Sequence, residues 1–254
     1  MFSIAALVPS PPILVPELCG GLADVAGTGE PDSRAVLRAA VLDTVRAFAS
    51  VTDQWVVVGP GAAEACFGPA SVGTFRGFGA DVRVGFSAAA VAGAAPADPE
   101  LPLAVLIAGW LRGQVAPGAV AEARIVAADA PPEHCGELGA KLRADLDGAT
   151  ERRGVLVVAD GAATLSTKAP GYLDERARPA QDELDRALTA GDRAALTALD
   201  PGLCAELVLA GRPAYQVLAG LFRADPVVET RYRDAPFGVG YHASLWRPAE
   251  EDAP

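Results

Sequence analysis

Residues 154–163 read Gly-Val-Leu-Val-Val-Ala-Asp-Gly-Ala-Ala. The unbroken apolar run 154–158 predicts a strand buried on both faces, and the Asp160-Gly161 pair after it predicts a loop. The same pattern, an apolar run followed by a loop rich in Gly, Pro or Asp, recurs at 4–8, at 55–58 with Gly59-Pro60-Gly61 as a turn, and at 124–128. These four segments define the sheet of the predicted fold.

Helical segments lie between and after these strands. Beyond Asp32 and Ser33, apolar residues recur on one helical face, at Val36, Leu37, Val41, Val45 and Phe48. Three further segments are predicted to be helical and two to be strands; the helical ones are 101–110, 133–146 and most of 174–222, and the strands are 227–232 and 239–245. Strands that alternate with helices predict an α/β fold, a three-layer sandwich with a mostly parallel central sheet covered by helices on both faces. We assign residues 1–246 to one such domain and 247–254 to an acidic tail.

Composition narrows the classes of partner. The formal net charge is −11, and so acidic a surface repels phosphate backbones and anionic lipid, which argues against nucleic-acid and membrane partners. The four cysteines are far apart, without a C-x-x-C pair, and no basic residue precedes the first apolar run. We therefore expect a cytoplasmic protein with free thiols. The composition is compatible with a small-molecule ligand and with a homo-oligomer.

The loops after the predicted strands contain the first candidate site residues. In parallel α/β sheets, ligands bind at the carboxyl ends of the strands. The residues that this rule places in a ligand cleft are Ser10, Gly61, Asp129, Asp160 and Ala163. Asp160 is the strongest catalytic candidate because a carboxylate there faces the expected cleft. A cap on the backbone amides of Gly161 and Ala162 explains the same residue equally well.

Polar residues in the carboxyl-terminal half of the chain add a second catalytic candidate. His242 lies in the run 240–246, which has the alternating pattern of a strand, and its imidazole is a candidate general acid or base. A histidine at such a position is more often a buried residue on a sheet face, and we favour that interpretation.

Five segments carry a resemblance to a known family. Residues 8–18, VPSPPILVPEL, are similar to the V-P-H-P-P-x-x-V-P-E opening of the catalytic subunits of class III extradiol ring-opening dioxygenases, the LigB-like superfamily, near its Memo-like branch. The family's other motifs are S-P-H, G-D-L-S-H with A-P-x-G-Y, C-G-x-R-P and P-F-G-V-G-Y. These four motifs resemble four segments of this chain that follow in the same order, namely residues 56–61, 157–174, 210–222 and 235–244.

The family's metal ligands do not carry over to this chain. The resemblance implies Fe(II) held by the histidines of P-H-P-P and S-P-H with a glutamate, but those positions are Ser10 and Gly61 here. The family's acid/base histidine falls on Ala163, or on Thr167 if the Leu-Ser pair sets the register. Glu206, the candidate for the family's glutamate and a third catalytic candidate, is about two positions out of register. A ferrous site needs two imidazoles and a carboxylate, so we predict no metal site and no cofactor.

These departures leave several functions open. The first is a metal-free relative of the dioxygenases that acts as a small-molecule-binding or interaction protein. The second is an enzyme with metal-independent chemistry in the same cleft, in which Asp160 works with His242 or Glu206 as general acid and base. The last is a residual ring-opening dioxygenase, or a dioxygenase that pairs with another subunit supplying the missing ligands.

Overall fold

The computed structural model describes residues 1–20 and 32–249, and contains nine strands within these ranges. In chain order the strands are β1 (Phe2–Val8), β2 (Gln54–Gly61), β3 (Ala65–Phe67), β4 (Val72–Thr74), β5 (Arg83–Gly85), β6 (Val120–Ala127), β7 (Arg153–Val158), β8 (Val227–Asp234) and β9 (Tyr241–Arg247). Seven of them form one sheet in the order β3-β6-β2-β7-β1-β9-β8, and β4 pairs with β5 in a separate antiparallel ribbon.

The centre of the sheet is parallel. β6, β2, β7 and β1 are parallel neighbours, while β3 and β9 run antiparallel at the two sides of this group. β8 is antiparallel to β9 and so runs in the direction of the central four. Five of the seven strands therefore point the same way, which confirms the predicted mostly parallel sheet.

The described residues contain eight α-helices. They are α1 (Ser33–Ala49), α2 (Ala88–Ala92), α3 (Leu103–Val115), α4 (Pro132–Asp147), α5 (Ala177–Ala190), α6 (Arg193–Thr197), α7 (Pro201–Glu206) and α8 (Arg212–Leu221). α1 begins where the sequence predicts, because the Asp32 side chain accepts a hydrogen bond from the Arg34 backbone N–H and caps the helix. Within the described residues, none of the helices combines the length and hydropathy that a membrane span requires.

Two hydrophobic cores lie on opposite faces of the sheet. Side chains alternate along a strand, so in β1 Ala6 and Val8 enter one core while Ala5 and Leu7 enter the other. The first core is closed by apolar residues of α1 and α3, and the second by those of α4, α5 and α8. Helices thus cover both faces, and the expected α/β sandwich is confirmed at this level.

Two local expectations change. Gly59-Pro60-Gly61 is not a turn: β2 continues to Gly61, which pairs with Ala127 of β6. Of the expected tail 247–254, Arg247 belongs to β9, and residues 250–254 lie outside the described residues.

Candidate functional site

Ser10 and Asp160 meet at the carboxyl edge of the sheet. β1 and β7 are parallel neighbours with Val8 opposite Val158, so the chain segments that leave them begin side by side. The Ser10 backbone N–H donates to Asp160 Oδ1 at 2.8 Å, and the Ser10 hydroxyl donates to Asp160 Oδ2 at 2.6 Å. Two of the predicted cleft residues are therefore joined through both carboxylate oxygens.

Asp160 is not the cap of its own turn. The Gly161 N–H donates to the Gly240 carbonyl at 2.8 Å, and the Ala162 N–H donates to Gln181 Oε1 at 2.9 Å. Gln181 is a buried residue of α5, and its amide fills the space next to Gly161 and Gly240. Since these two amides donate to other acceptors, the carboxylate of Asp160 remains available to Ser10 and to a ligand.

Burial raises the pKa of the Asp160 carboxyl above its usual value, and the two hydrogen bonds from Ser10 oppose this shift without cancelling it. Among the described residues, no lysine, arginine or histidine forms an ion pair with Asp160. The residue as a whole is half-buried. Asp160 is thus a poorly solvated carboxylate without a cationic partner in the described residues.

Two tyrosines share this environment. Burial raises the pKa of Tyr215 and of Tyr241, and in both the charge of nearby Asp160 adds to the effect. Both side chains are almost fully buried, so their hydroxyls stay protonated and neutral. They therefore add no positive charge near the Asp160 carboxylate.

The end of β2 is closed by packing. A Cβ placed on Gly61 would lie 2.4 Å from Cγ2 of Ile125, the neighbouring strand residue, and the Gly61 carbonyl accepts a hydrogen bond from Ala128 N–H at 2.9 Å. The backbone of Gly61 is not left-handed. The glycine is therefore required by the close approach of Ile125.

The other predicted cleft residues contribute little polar chemistry. Asp129 is exposed in the turn after β6. Ala163 is 8% exposed, its N–H donates to the Leu207 carbonyl at 3.1 Å, and its carbonyl accepts from Gly171 N–H at 3.0 Å. Ala163 is thus part of a packed loop and supplies no side-chain donor or acceptor.

Of the two remaining catalytic candidates, His242 is buried and Glu206 is paired with another side chain. His242 is 2% exposed in β9, where Nε2 lies 3.4 Å from Thr230 Oγ1. Glu206 is exposed at the end of α7, and its carboxylate accepts from Arg176 Nη1 at 2.5 Å. None of these contacts brings either side chain to Asp160.

The residues present do not fit a ferrous site. Ser10 and Gly61 offer one hydroxyl and no side-chain ligand, and neither Ala163 nor Thr167 supplies an imidazole. Over residues 1–20 and 32–249, no group of three or more His, Cys, Asp or Glu side chains is arranged to hold a metal ion.

Comparison with known proteins supports the fold and goes no further. No family model matches the chain, and no curated protein matches it. Among solved structures, the uncharacterized protein JW3007 from Escherichia coli K12 is similar over 96% of this chain and 99% of its own, with a TM-score of 0.57 and 10% sequence identity. At that identity the likeness concerns the α/β fold alone.

Replacing Asp160 with asparagine should stabilise the protein at neutral pH. With its folded-state pKa raised, the wild-type chain loses stability as the pH rises from the ordinary value of 3.8 through the folded-state pKa. An asparagine carries no charge to desolvate, and its amide oxygen still accepts from the Ser10 N–H. Urea unfolding should show Asp160→Asn above wild type at pH 7 and equal to it near pH 3.

The matched control is Asp129→Asn, which removes an exposed carboxylate from the same edge of the sheet. It should follow the wild-type stability at both pH values. An Asp160→Asn protein that is less stable than wild type at pH 7 would show that the carboxylate contributes to folding, and would contradict this description of the site.

Proposed function

We propose that this chain is a relative of the class III extradiol dioxygenases that has lost the Fe(II) site and binds a small organic ligand through Asp160. The observation that carries the proposal is a poorly solvated carboxylate held by Ser10, with no cationic side chain paired to it in the described residues. The order of the five motif-like segments supports the family. The missing imidazoles argue for a role other than oxygenation.

The chemistry of Asp160 indicates the class of ligand. A carboxylate that loses hydration and gains no counter-charge costs folding free energy, and such costs are typical of functional groups. An ammonium or guanidinium group would supply the missing charge and form charge-assisted hydrogen bonds. We therefore propose a small organic amine as ligand, with its uncharged part beside Tyr241 and Phe237, whose ring centroids are 6.4 Å apart.

A thermal-shift screen with matched compounds tests this proposal. Aliphatic and aromatic amines would be compared with the alcohol and carboxylate that share each carbon skeleton. We expect amines to raise the midpoint temperature of the wild-type protein, alcohols to have little effect, and carboxylates none. Titration calorimetry on the best amine would then give its affinity.

Three variants separate the site from the rest of the surface. Asp160→Asn should abolish the amine effect, and Ser10→Ala should weaken it, because Ser10 fixes the carboxylate through its hydroxyl. Asp129→Asn should bind as wild type does. Amine binding that survives in Asp160→Asn would refute the proposed site, and a screen in which no amine binds would refute the ligand class.

The raised pKa of Asp160 favours one second candidate, an enzyme with metal-independent acid/base chemistry. In that case Asp160 works without His242, which is buried, and without Glu206, which pairs with Arg176. A turnover screen at several pH values would detect it. Activity that disappears in Asp160→Asn and persists in Glu206→Gln supports this candidate, and activity retained by Asp160→Asn rules it out.

A further inference from the structure

A polar cavity of about 380 Å³ lies between helix α5 and the hairpin of β8 and β9. Its volume falls within the roughly 300–1,000 Å³ that is typical of small-molecule sites. Neither Ser10 nor Asp160 lines it, whereas the buried side chain of Gln181 does. Gln181 accepts a hydrogen bond from the Ala162 N–H, so its amide stands between this cavity and the segment that follows Asp160. The cavity is therefore distinct from the Ser10–Asp160 site.

Charged side chains of both signs line this cavity. They are Arg178, Asp182, Asp185 and Arg186 of α5, and Arg233 and Asp234 of β8. In the described parts of the chain, none of these three arginines forms an ion pair or a side-chain hydrogen bond. Opposite charges that share one cavity and stay unpaired are available to a ligand that carries both signs.

Asp185 is the least solvated of these charged residues, being half-buried while the other five are exposed. Burial raises the pKa of its carboxyl, although the hydrogen bond from Gln181 and the charges of Arg233 and Arg178 oppose the shift. Its Oδ1 accepts from Gln181 Nε2 at 2.8 Å, and its Oδ2 has no hydrogen-bond partner among the described residues. Asp185 thus offers one free carboxylate oxygen to a cationic group.

The two arginines that act on Asp185 come from different walls of the cavity. Arg233 belongs to β8 and Arg178 to α5. Both are close enough to influence the Asp185 carboxyl electrostatically, yet neither forms an ion pair with it in the described residues. A space therefore separates the negative group from the positive ones. The ammonium and carboxylate of an α-amino acid, which are attached to one carbon, suit such a separation.

We propose that this cavity binds a polar α-amino acid. Its ammonium group would meet Asp185 Oδ2, and its carboxylate would meet Arg233 and Arg178. A ligand with a charge of one sign alone would leave the opposite charges of the cavity unmatched, so both charges contribute to selection. This inference is independent of the amine site at Asp160.

Matched compounds test which charges of the ligand are required. L-Serine and L-glutamine would each be compared with the N-acetyl form, which keeps only the carboxylate, and with the decarboxylated amine, which keeps only the ammonium. Titration calorimetry uses wild type and Asp160→Asn for the amino acids, and Asp160→Asn alone for the amines, so that amine binding at Asp160 does not contribute. We expect at least one amino acid to bind both proteins, and its single-charge forms to bind about fivefold more weakly or less. That factor corresponds to the roughly 1 kcal/mol of an exposed ion pair.

Variants of the cavity assign each charge of the ligand. Asp185→Asn should weaken binding of the amino acid about fivefold and leave the N-acetyl form unchanged, because the asparagine oxygen keeps the internal hydrogen bond. Arg233→Gln and Arg178→Gln should each weaken the amino acid and the N-acetyl form, and leave the amine unchanged. Arg247→Gln and Asp129→Asn are the matched controls. They remove exposed charges outside the cavity and should change nothing.

Three results would overturn the proposal. Equal binding of the amino acid and either single-charge form would mean that the charges are only a solvated face of α5. Absence of binding by both amino acids at about 10 mM, well beyond the millimolar range of weak specific ligands, would remove the ligand class. Amino-acid binding that is lost in Asp160→Asn would place the ligand at the other site. The first two results leave the proposal of amine binding at Asp160 untouched.

Discussion

Acidification should destabilise this protein through one buried histidine, by about 3 kcal/mol between pH 7 and pH 4. Burial, with a smaller effect from the charge of Arg233, lowers the pKa of His242 to about 4 from the ordinary 6.5. Its Nδ1 is buried and has no hydrogen-bond partner among the described residues. Between these two pH values the unfolded chain binds a proton that the folded chain does not, so stability is lost as the pH falls.

The two histidines of the chain provide the test and its control. His242→Gln should remove most of the loss of unfolding free energy across this range, measured by urea denaturation at closely spaced pH values. His134→Gln, which alters the exposed histidine beside Glu64, should keep it. The raised pKa values of Asp160 and Asp185 act in the opposite direction, so their contribution does not imitate that of His242. An unchanged acid loss in His242→Gln would contradict the assignment.

Introducing a histidine at the second metal position of the proposed family should fail for a steric reason. In Gly61→His the new Cβ meets Cγ2 of Ile125 at 2.4 Å, in a packed strand pair. Overpacking of this kind costs about 3 kcal/mol, at the upper end of the usual range. The double variant Ser10→His/Gly61→His is therefore expected to be destabilised and to gain little affinity for Fe(II).

A double-mutant cycle separates the clash from other effects. Gly61→Ala should lower the free energy of unfolding of the wild-type protein. It should lower that of the Ile125→Ala variant much less, so that the coupling free energy between the two positions is about 1 kcal/mol or more. Gly68→Ala is the matched control, because nothing lies within 4 Å of a Cβ built there. Additive effects of Gly61→Ala and Ile125→Ala would mean that Ile125 is not the obstacle.

The sequence predicts the main strands because their apolar runs are long and unbroken. The prediction is wrong at Gly59-Pro60-Gly61, because these residue types are typical of a turn whereas the strand β2 continues through them. β2 pairs with β7 only as far as Val58, so beyond it the strand is bonded on the β6 side alone. A proline, which has no N–H, is tolerated at such an edge-like position.

The candidate site was predictable in part. The position of Asp160 at a strand end follows from pattern alone, and so does its meeting with the loop after β1. Its partners do not, because Tyr215, Tyr241 and Gln181 come from α8, β9 and α5 and reach the site only through tertiary packing. Local periodicity contains no signal for such contacts, and only the P-F-G-V-G-Y-like segment drew attention to one of them, Tyr241.

Elemental analysis of the purified protein after incubation with Fe(II) and desalting tests whether the iron site is absent. We expect well under one iron per chain, the same in wild type, Asp160→Asn and Ser10→Ala, and no ring cleavage of a catechol. About one tightly bound iron per chain that Asp160→Asn releases would contradict it. In that case the carboxyl edge of the sheet would hold a metal through ligands other than the family's histidines, and the residual dioxygenase would be the better description.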